Sequence, residues 1–507
     1  MAVFKGGERK ERGPGSVNLA ILVLGLYFLA IIYLTYTGVR KESKAEASGS
    51  FSEEFYVGGR KIGPVALAIL VAAGACSTGT FIGGPGLSAA NGIGYVLLMG
   101  LGQIPMTLFI LGILGKKMNI IGRRTSSESY VDIFRHRYEN WKPLMFVLIL
   151  AILVFIISSS TGEFVGGSRV IETVTGIPYE ASLIAFGALI TAYTALGGMK
   201  GVSVVGILQG FIMTAATLIL VGGYMVFYGG MPEIMQRVGE IGTELWTPNK
   251  GGEFPLYQLF NLWATYSIAI IGLPWAVQSA LTYKDTKTMK RAIVIGTIFV
   301  LIWSVFLCGW AGAAGRVYTP DLPVSDYAIP NLAMGILPSV LSGIVLAGVA
   351  GAGQSTIASL FILAASSIVV NIYKAFINPG AAEKQIKRLS VLVCACVGVV
   401  NIILALTNPP TLQIFITFAA GGCGAALVPP LVLGLYWPRC NKYGAFAGVL
   451  SGLAFYALFS LAPLGVPFFV NAPLLCSAPL SFLLTWLVSK CTAKPDRETL
   501  RVYFGKY

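Results

Sequence analysis

Three sets of oxygen-bearing side chains stand inside strongly apolar stretches: Glu163, the adjacent pair Ser355 and Thr356, and the run Ser77, Thr78 and Thr80. A carboxyl among hydrocarbon must be paired, protonated or facing water, because burying its charge bare is very costly. Glu163 therefore reads as a candidate coupling group or as a hydrated residue at the mouth of its span. Neighbouring hydroxyls such as those of Ser355 and Thr356 offer oxygen ligands to a hard cation. Alternatively, each bonds back to a carbonyl one turn earlier in its own helix. The third set lies in PVALAILVAAGACSTGTFIGGPG, residues 64–86. The second half of that stretch holds Gly79, Gly83, Gly84, Pro85 and Gly86, which weaken a helix and release carbonyls that hydrocarbon cannot satisfy. Such a segment lines a polar cavity or coordinates something, or it is a kinked helix packed closely through small residues.

The elements that must position these groups are membrane spans. The chain has 507 residues, 55% of them hydrophobic and only 11% charged, with a mean hydropathy of +0.76. That composition defines an integral membrane protein. Apolar runs of spanning length lie near 17–38, 64–88, 93–115, 143–166, 180–196, 203–228 and 257–278. They continue near 292–314, 338–371, 389–407, 411–436, 443–465 and 467–489. The expectation is an all-α protein of about 13 transmembrane helices, numbered here in that order. The longest polar stretches, about 25–30 residues, are too short for an independent core. The basic start MAVFKGGERKERGPGS leads into span 1 with no cleavage-site pattern beyond it, so a removed signal peptide is not expected.

The net charge of +14 reports topology rather than a nucleic-acid partner. With the N-terminus outside, roughly 28 of the 36 Lys and Arg residues fall on the cytoplasmic side, as the positive-inside rule requires. An odd number of spans then leaves the C-terminus in the cytoplasm, and the expected location is the cell membrane. The eight Cys form no CxxC pair or loop framework, which argues against a disulfide scaffold or metal centre. The single His, His136, lies in the polar RHRY run with no partner motif. No nucleophile–base constellation appears either, so an enzyme is not expected.

Span 7 is interrupted by Gly272, Leu273 and Pro274, five spans after the interruption of span 2. Two Gly/Pro-broken spans at matching positions suggest inverted repeats, the architecture in which secondary transporters bind their solutes. The expected division is 1–60 (terminal segment, peripheral span 1 and loop), 61–228 and 229–436 (two five-helix repeats), and 437–507 (peripheral spans 12 and 13 with a tail). Ser77, Trp263, Tyr266, Trp275 and Gln278 flank the two breaks. They are candidates to line a solute pocket, and equally candidates for packing.

Ordered motifs from about residue 50 to 450 carry a family resemblance. They are YVGGRKIGP (56–64), FIGGPGLSAANGIGYVLL (81–98), LGILGKK (111–117), FVGGSRVIETVTGIPYE (164–180) and YTALGGMKG (193–201). YKDTKTMKRAIVIGTI (283–298), GQSTIASL (353–360) and LYWPRCNKYGA (435–445) follow. The chain resembles the sodium:solute symporter family, and within it the sodium/pantothenate permeases. The resemblance implies a leucine-transporter-type 5+5 inverted repeat and sodium-coupled uptake of a small organic solute, with a pantothenate-like carboxylate favoured. It also implies a sodium site between spans 2 and 9, made of the carbonyls of Ala73, Cys76 and Ala352 and the hydroxyls of Ser355 and Thr356. No cofactor is implied beyond the co-transported sodium.

Three positions depart from the family pattern. Its acid at the start of span 6 is replaced by Gly206, ahead of Gln209 and Gly210. The permease His and Arg of span 7 are Trp275 and Ser279 here, which removes a cation that could meet an anionic solute. Glu163 stands where the permeases carry an uncharged side chain. A proton-coupled or uncoupled facilitator, or a channel on the same fold, is the alternative these departures raise.

Overall fold

Span 4 shows why this sequence forms the helices it does. It runs from Lys142 to Thr175, 34 residues, or about 51 Å at 1.5 Å per residue. Pro143 sits in its first turn, where no backbone donor is lost. Gly176, left-handed at φ 72°, ends it. Two-thirds of its most apolar window is buried, because spans 2, 9 and 11 and the segment between spans 8 and 9 all pack on it.

This architecture comes from a computed structural model that describes residues 14–45, 63–65, 67–68, 71, 77–127, 129–461 and 466–505. Among them, ten helices are long and apolar enough to cross a membrane. The three further expected spans differ in kind. Span 2 lies partly outside the described residues. Spans 5 and 6 fall in one helical stretch, Tyr179–Tyr228, of 50 residues. Its ends return to one side of the bundle: Tyr179 lies against Arg169, the ion-pair partner of Asp326. Tyr228 donates to the carbonyl of Ala314, whose neighbour Gly315 abuts Ala328. Since 50 residues of straight helix reach about 75 Å, the stretch bends back between the two runs.

Span 7 is broken where Gly272 and Pro274 place the break. Leu256–Ser267 is α-helical, Ala269–Gly272 is a 3₁₀ turn, Leu273 is extended (ψ 111°), and Pro274–Val277 restarts the helix. Span 2 requires a correction. The glycine- and proline-rich half is helical: Gly79–Gly83 forms a wide π turn and Gly84–Asn91 an α-helix. Gly84 N–H bonds the Gly79 carbonyl, so those carbonyls are not released. Residues 72–76 of this span fall outside the described set. The glycines serve close approach instead. An added Cβ would meet Gln413 Oε1 at 2.1 Å from Gly83 and Cys308 Sγ at 2.7 Å from Gly84.

Spans 9 and 11 complete the centre. Span 9 begins as an α-helix, Ser339–Ala365, and continues as a π-helix to Ile377. Its small residues admit neighbours closely: a Cβ on Gly348 would lie 2.4 Å from that of Ala216 in span 6. Phe211, Leu218, Val226 and Leu256 stand exposed on the outside of the bundle, as lipid-facing side chains do.

Candidate functional site

Gly353 is the point at which spans 2, 4 and 9 meet. A Cβ there would lie 2.7 Å from Thr78 Cγ2 and 3.5 Å from Glu163 Oε2. Across this gap, Glu163 Oε2 accepts two hydrogen bonds from Thr78, from its N–H at 2.9 Å and its hydroxyl at 2.6 Å. Glu163 is 1% exposed, so it is no hydrated residue at a helix mouth. No Lys, Arg or His among the described residues lies within ion-pair distance of it. Its partners are neutral donors from the helix that opens just after the undescribed part of span 2.

On either side of Gly353 along span 9, the Ala352 carbonyl accepts from Ser355 Oγ at 2.9 Å and Thr356 Oγ1 at 3.1 Å. Both are bonds back to the hydroxyls' own helix, as hydroxyls in apolar helices make, and they involve three of the five expected cation ligands. Ala73 and Cys76, the expected ligands from span 2, lie outside the described residues. Gln354, between the hydroxyl pair and Gly353, is fixed from three other spans. Its Oε1 accepts from Tyr27 at 2.5 Å and from Gln209 at 3.3 Å, and its carbonyl accepts from Tyr193 at 3.2 Å. The retained Gln209 of span 6 therefore holds span 9 beside the hydroxyl pair. At Gly206, one turn before it, an added Cβ would meet no described atom within 4 Å.

The residues expected around the solute separate. Tyr266, at the end of the first half of span 7, accepts a hydrogen bond from Gln413 Nε2 and bonds Thr417 Oγ1 at 2.8 Å. Gln413 Oε1 is buried without a partner and lies over Gly83 of span 2. Ser77 is nearby in the chain, its Oγ accepting from Gly79 N–H at 3.0 Å. Trp263 is stacked on exposed Phe260 and set against Gly102 of span 3. Trp275 is partly buried against the core, and the side chain of Gln278 lies outside the described set. Gln413, Thr417, Thr78 and Gly353 were not singled out from the sequence as solute or cation contacts. A lone Gln opening an apolar span was the signal available for Gln413.

A buried ion pair closes one end of this region. Arg169, at the far end of span 4, pairs with Asp326 of the loop between spans 8 and 9, both side chains fully buried. Asp326 also accepts from Thr411 Oγ1 at 2.8 Å and Leu412 N–H at 2.7 Å. Arg169 also reaches Asn408 Oδ1 at 3.1 Å and the Pro409 carbonyl. Leu412 fills the space beneath, 3.0 Å from a Cβ on Gly83 and 2.9 Å from one on Gly166.

A membrane bundle with an interrupted span 7 beside a buried polar centre fits the architecture of a secondary transporter. The solved structure of a Na+-coupled sialic acid symporter matches it with a TM-score of 0.71 at 18% identity, covering 94% of this chain and 98% of that one. The fold is thus the leucine-transporter type with a 5+5 inverted repeat. The sodium:solute symporter family model matches residues 55–452. The sodium/pantothenate symporter of Escherichia coli (strain K12) is 36% identical over 473 residues, covering 92% of this chain and 95% of its own. That of Haemophilus influenzae is 35% identical over 458 residues, covering 88% and 92%. The chain belongs to the sodium:solute symporter family, and so is a multi-pass membrane transporter rather than an enzyme.

Proposed function

We propose that the chain takes up a small organic carboxylate resembling pantothenate, driven by sodium bound between spans 2 and 9. The observation that carries this reading is the convergence of the Ala352 carbonyl with the Ser355 and Thr356 hydroxyls, next to the Glu163–Thr78 contact. A carbonyl and two hydroxyls suit sodium, a hard cation that takes oxygen ligands. The carbonyls of Ala73 and Cys76 are the proposed partners from span 2. The solute lies against Tyr266, Gln413 and Thr417, with Ser77 and Trp275 as further contacts. Gln413 Oε1, buried without a donor, has an acceptor to offer a hydroxyl or amide of the solute. The protein sits in the cell membrane, N-terminus outside, with 61–228 and 229–436 as the two repeats.

Radiolabelled pantothenate uptake by proteoliposomes, with and without an inward sodium gradient, tests the reading. Uptake should rise with the gradient and collapse when sodium is replaced by choline. Gln413→Leu should raise the KM for solute about tenfold, as loss of a buried hydrogen bond does, while the sodium concentration for half-maximal uptake stays unchanged. Uptake that follows a proton gradient and ignores sodium would establish the facilitator or proton-coupled alternative.

A further inference from the structure

At the end of span 3 the helix Gly115–Thr125 carries Lys116, Lys117 and Arg124 along one side of a cleft of about 540 Å³. Tyr436, closing span 11, and the helix Arg497–Phe504 form the other side. The three cations have no anion of their own: among the described residues none is in an ion pair. Lys117 rests over the rings of Tyr436 and Phe504, 4.8 and 4.4 Å from their centres. Arg124 gives one N–H to the Val502 carbonyl at 2.9 Å and is otherwise exposed. Lys116 is exposed and makes no hydrogen bond among the described residues.

The apolar part of the same cleft identifies its occupant. Ile113 and Ile120 line it and are themselves exposed, on a helix that continues a membrane span. Three unpaired cations at the end of a span, beside an apolar wall open to the bilayer, fit a ligand that is anionic at one end and hydrocarbon at the other. Basic pockets between spans bind lipid headgroups for this reason. A small free anion would leave the apolar wall uncovered. We propose that this cleft binds an anionic phospholipid, its phosphate on Lys116, Lys117 and Arg124 and its acyl chains along Ile113 and Ile120. The lipid would then also hold the helix Arg497–Phe504, which forms the roof through Tyr503 and Phe504.

Native mass spectrometry of the full-length protein, stripped of lipid and titrated with phosphatidylglycerol or phosphatidylethanolamine, tests this. Wild type should retain phosphatidylglycerol preferentially. The triple variant Lys116→Gln, Lys117→Gln, Arg124→Gln should lower that affinity about 100-fold, at about 1 kcal/mol per charge. Retention of phosphatidylethanolamine should not change. A charge-keeping variant, Lys116→Arg with Lys117→Arg, should behave as wild type. Millimolar glycerol phosphate should not displace the lipid. Should the triple variant fail to fold, Lys116→Gln alone, which removes no contact within the protein, should cost about fivefold. Equal retention of the two lipids by wild type, no loss in the Gln variants, or displacement by glycerol phosphate would each overturn the proposal.

Discussion

On the proposed sodium path, Glu163 and the hydroxyl pair of span 9 would do different work. Ser355 and Thr356 are neutral, so each contributes only the difference between a protein oxygen and water around sodium. Hydrogen bonds and contacts to charged groups are worth about 1.5–3 kcal/mol each. The Ser355→Ala, Thr356→Ala double variant should therefore raise the sodium concentration for half-maximal uptake by 100-fold or more; wild-type sodium dependence would remove this site from the mechanism. Glu163 is a buried ionisable carboxyl held by hydrogen bonds from Thr78 and Ser77. Glu163→Gln keeps the shape and removes the charge. Uptake across a pH series, at fixed sodium and membrane potential, should fall in rate and lose its pH dependence if that charge participates in coupling. A variant indistinguishable from wild type would restrict coupling to the span 2 and span 9 oxygens.

Glycines decide how the elements fit, and they divide what could be read from the sequence. The break in span 7 was legible because Gly272 and Pro274 act locally: one weakens the helix, the other removes a donor. The same residue types in span 2 do not break it there, because a helix tolerates Gly83, Gly84 and Pro85 where neighbours press close and its own carbonyls stay bonded. Close approach is a property of two elements, and one stretch of sequence contains only one of them. For the same reason the motif GQSTIASL marked Ser355 and Thr356 but not the role of Gly353, which depends on Thr78 and Glu163 in two other spans. Gly353→Ala should make that role visible. Its Cβ would arrive 2.7 Å from Thr78 Cγ2, pushing Thr78 off the carboxylate. Uptake should fall at least about tenfold with the protein still present in the membrane at wild-type level. Unchanged uptake would mean that spans 2 and 9 can separate without cost.

For the whole molecule, the contact between distant parts that matters most is Arg169 with Asp326, 157 residues apart. No spacing rule links an Arg at the end of span 4 to an Asp in the loop between spans 8 and 9. Both side chains are fully buried here, and Gly86 of span 2 lies directly beneath: a Cβ on it would be 3.1 Å from Asp326 Oδ1. Removing one partner of a buried pair leaves a bare charge, at a cost of about 3–5 kcal/mol, whereas an arrangement that admits water hydrates that charge. If that end of the bundle opens during transport, the pair would set how long it stays shut, and this can be tested. Cys308 can report on this: it is a buried thiol lying under Gly84 and bonded to the Thr80 carbonyl, so an impermeant maleimide needs an opening of the bundle to reach it. In a chain with Cys308 as the sole cysteine, Asp326→Asn should speed its alkylation by about tenfold or more. Added sodium and solute should then alter that rate less than they do with the pair intact. A labelling rate equal to that of the parent chain would show that the ion pair is structural and that shutting is timed elsewhere.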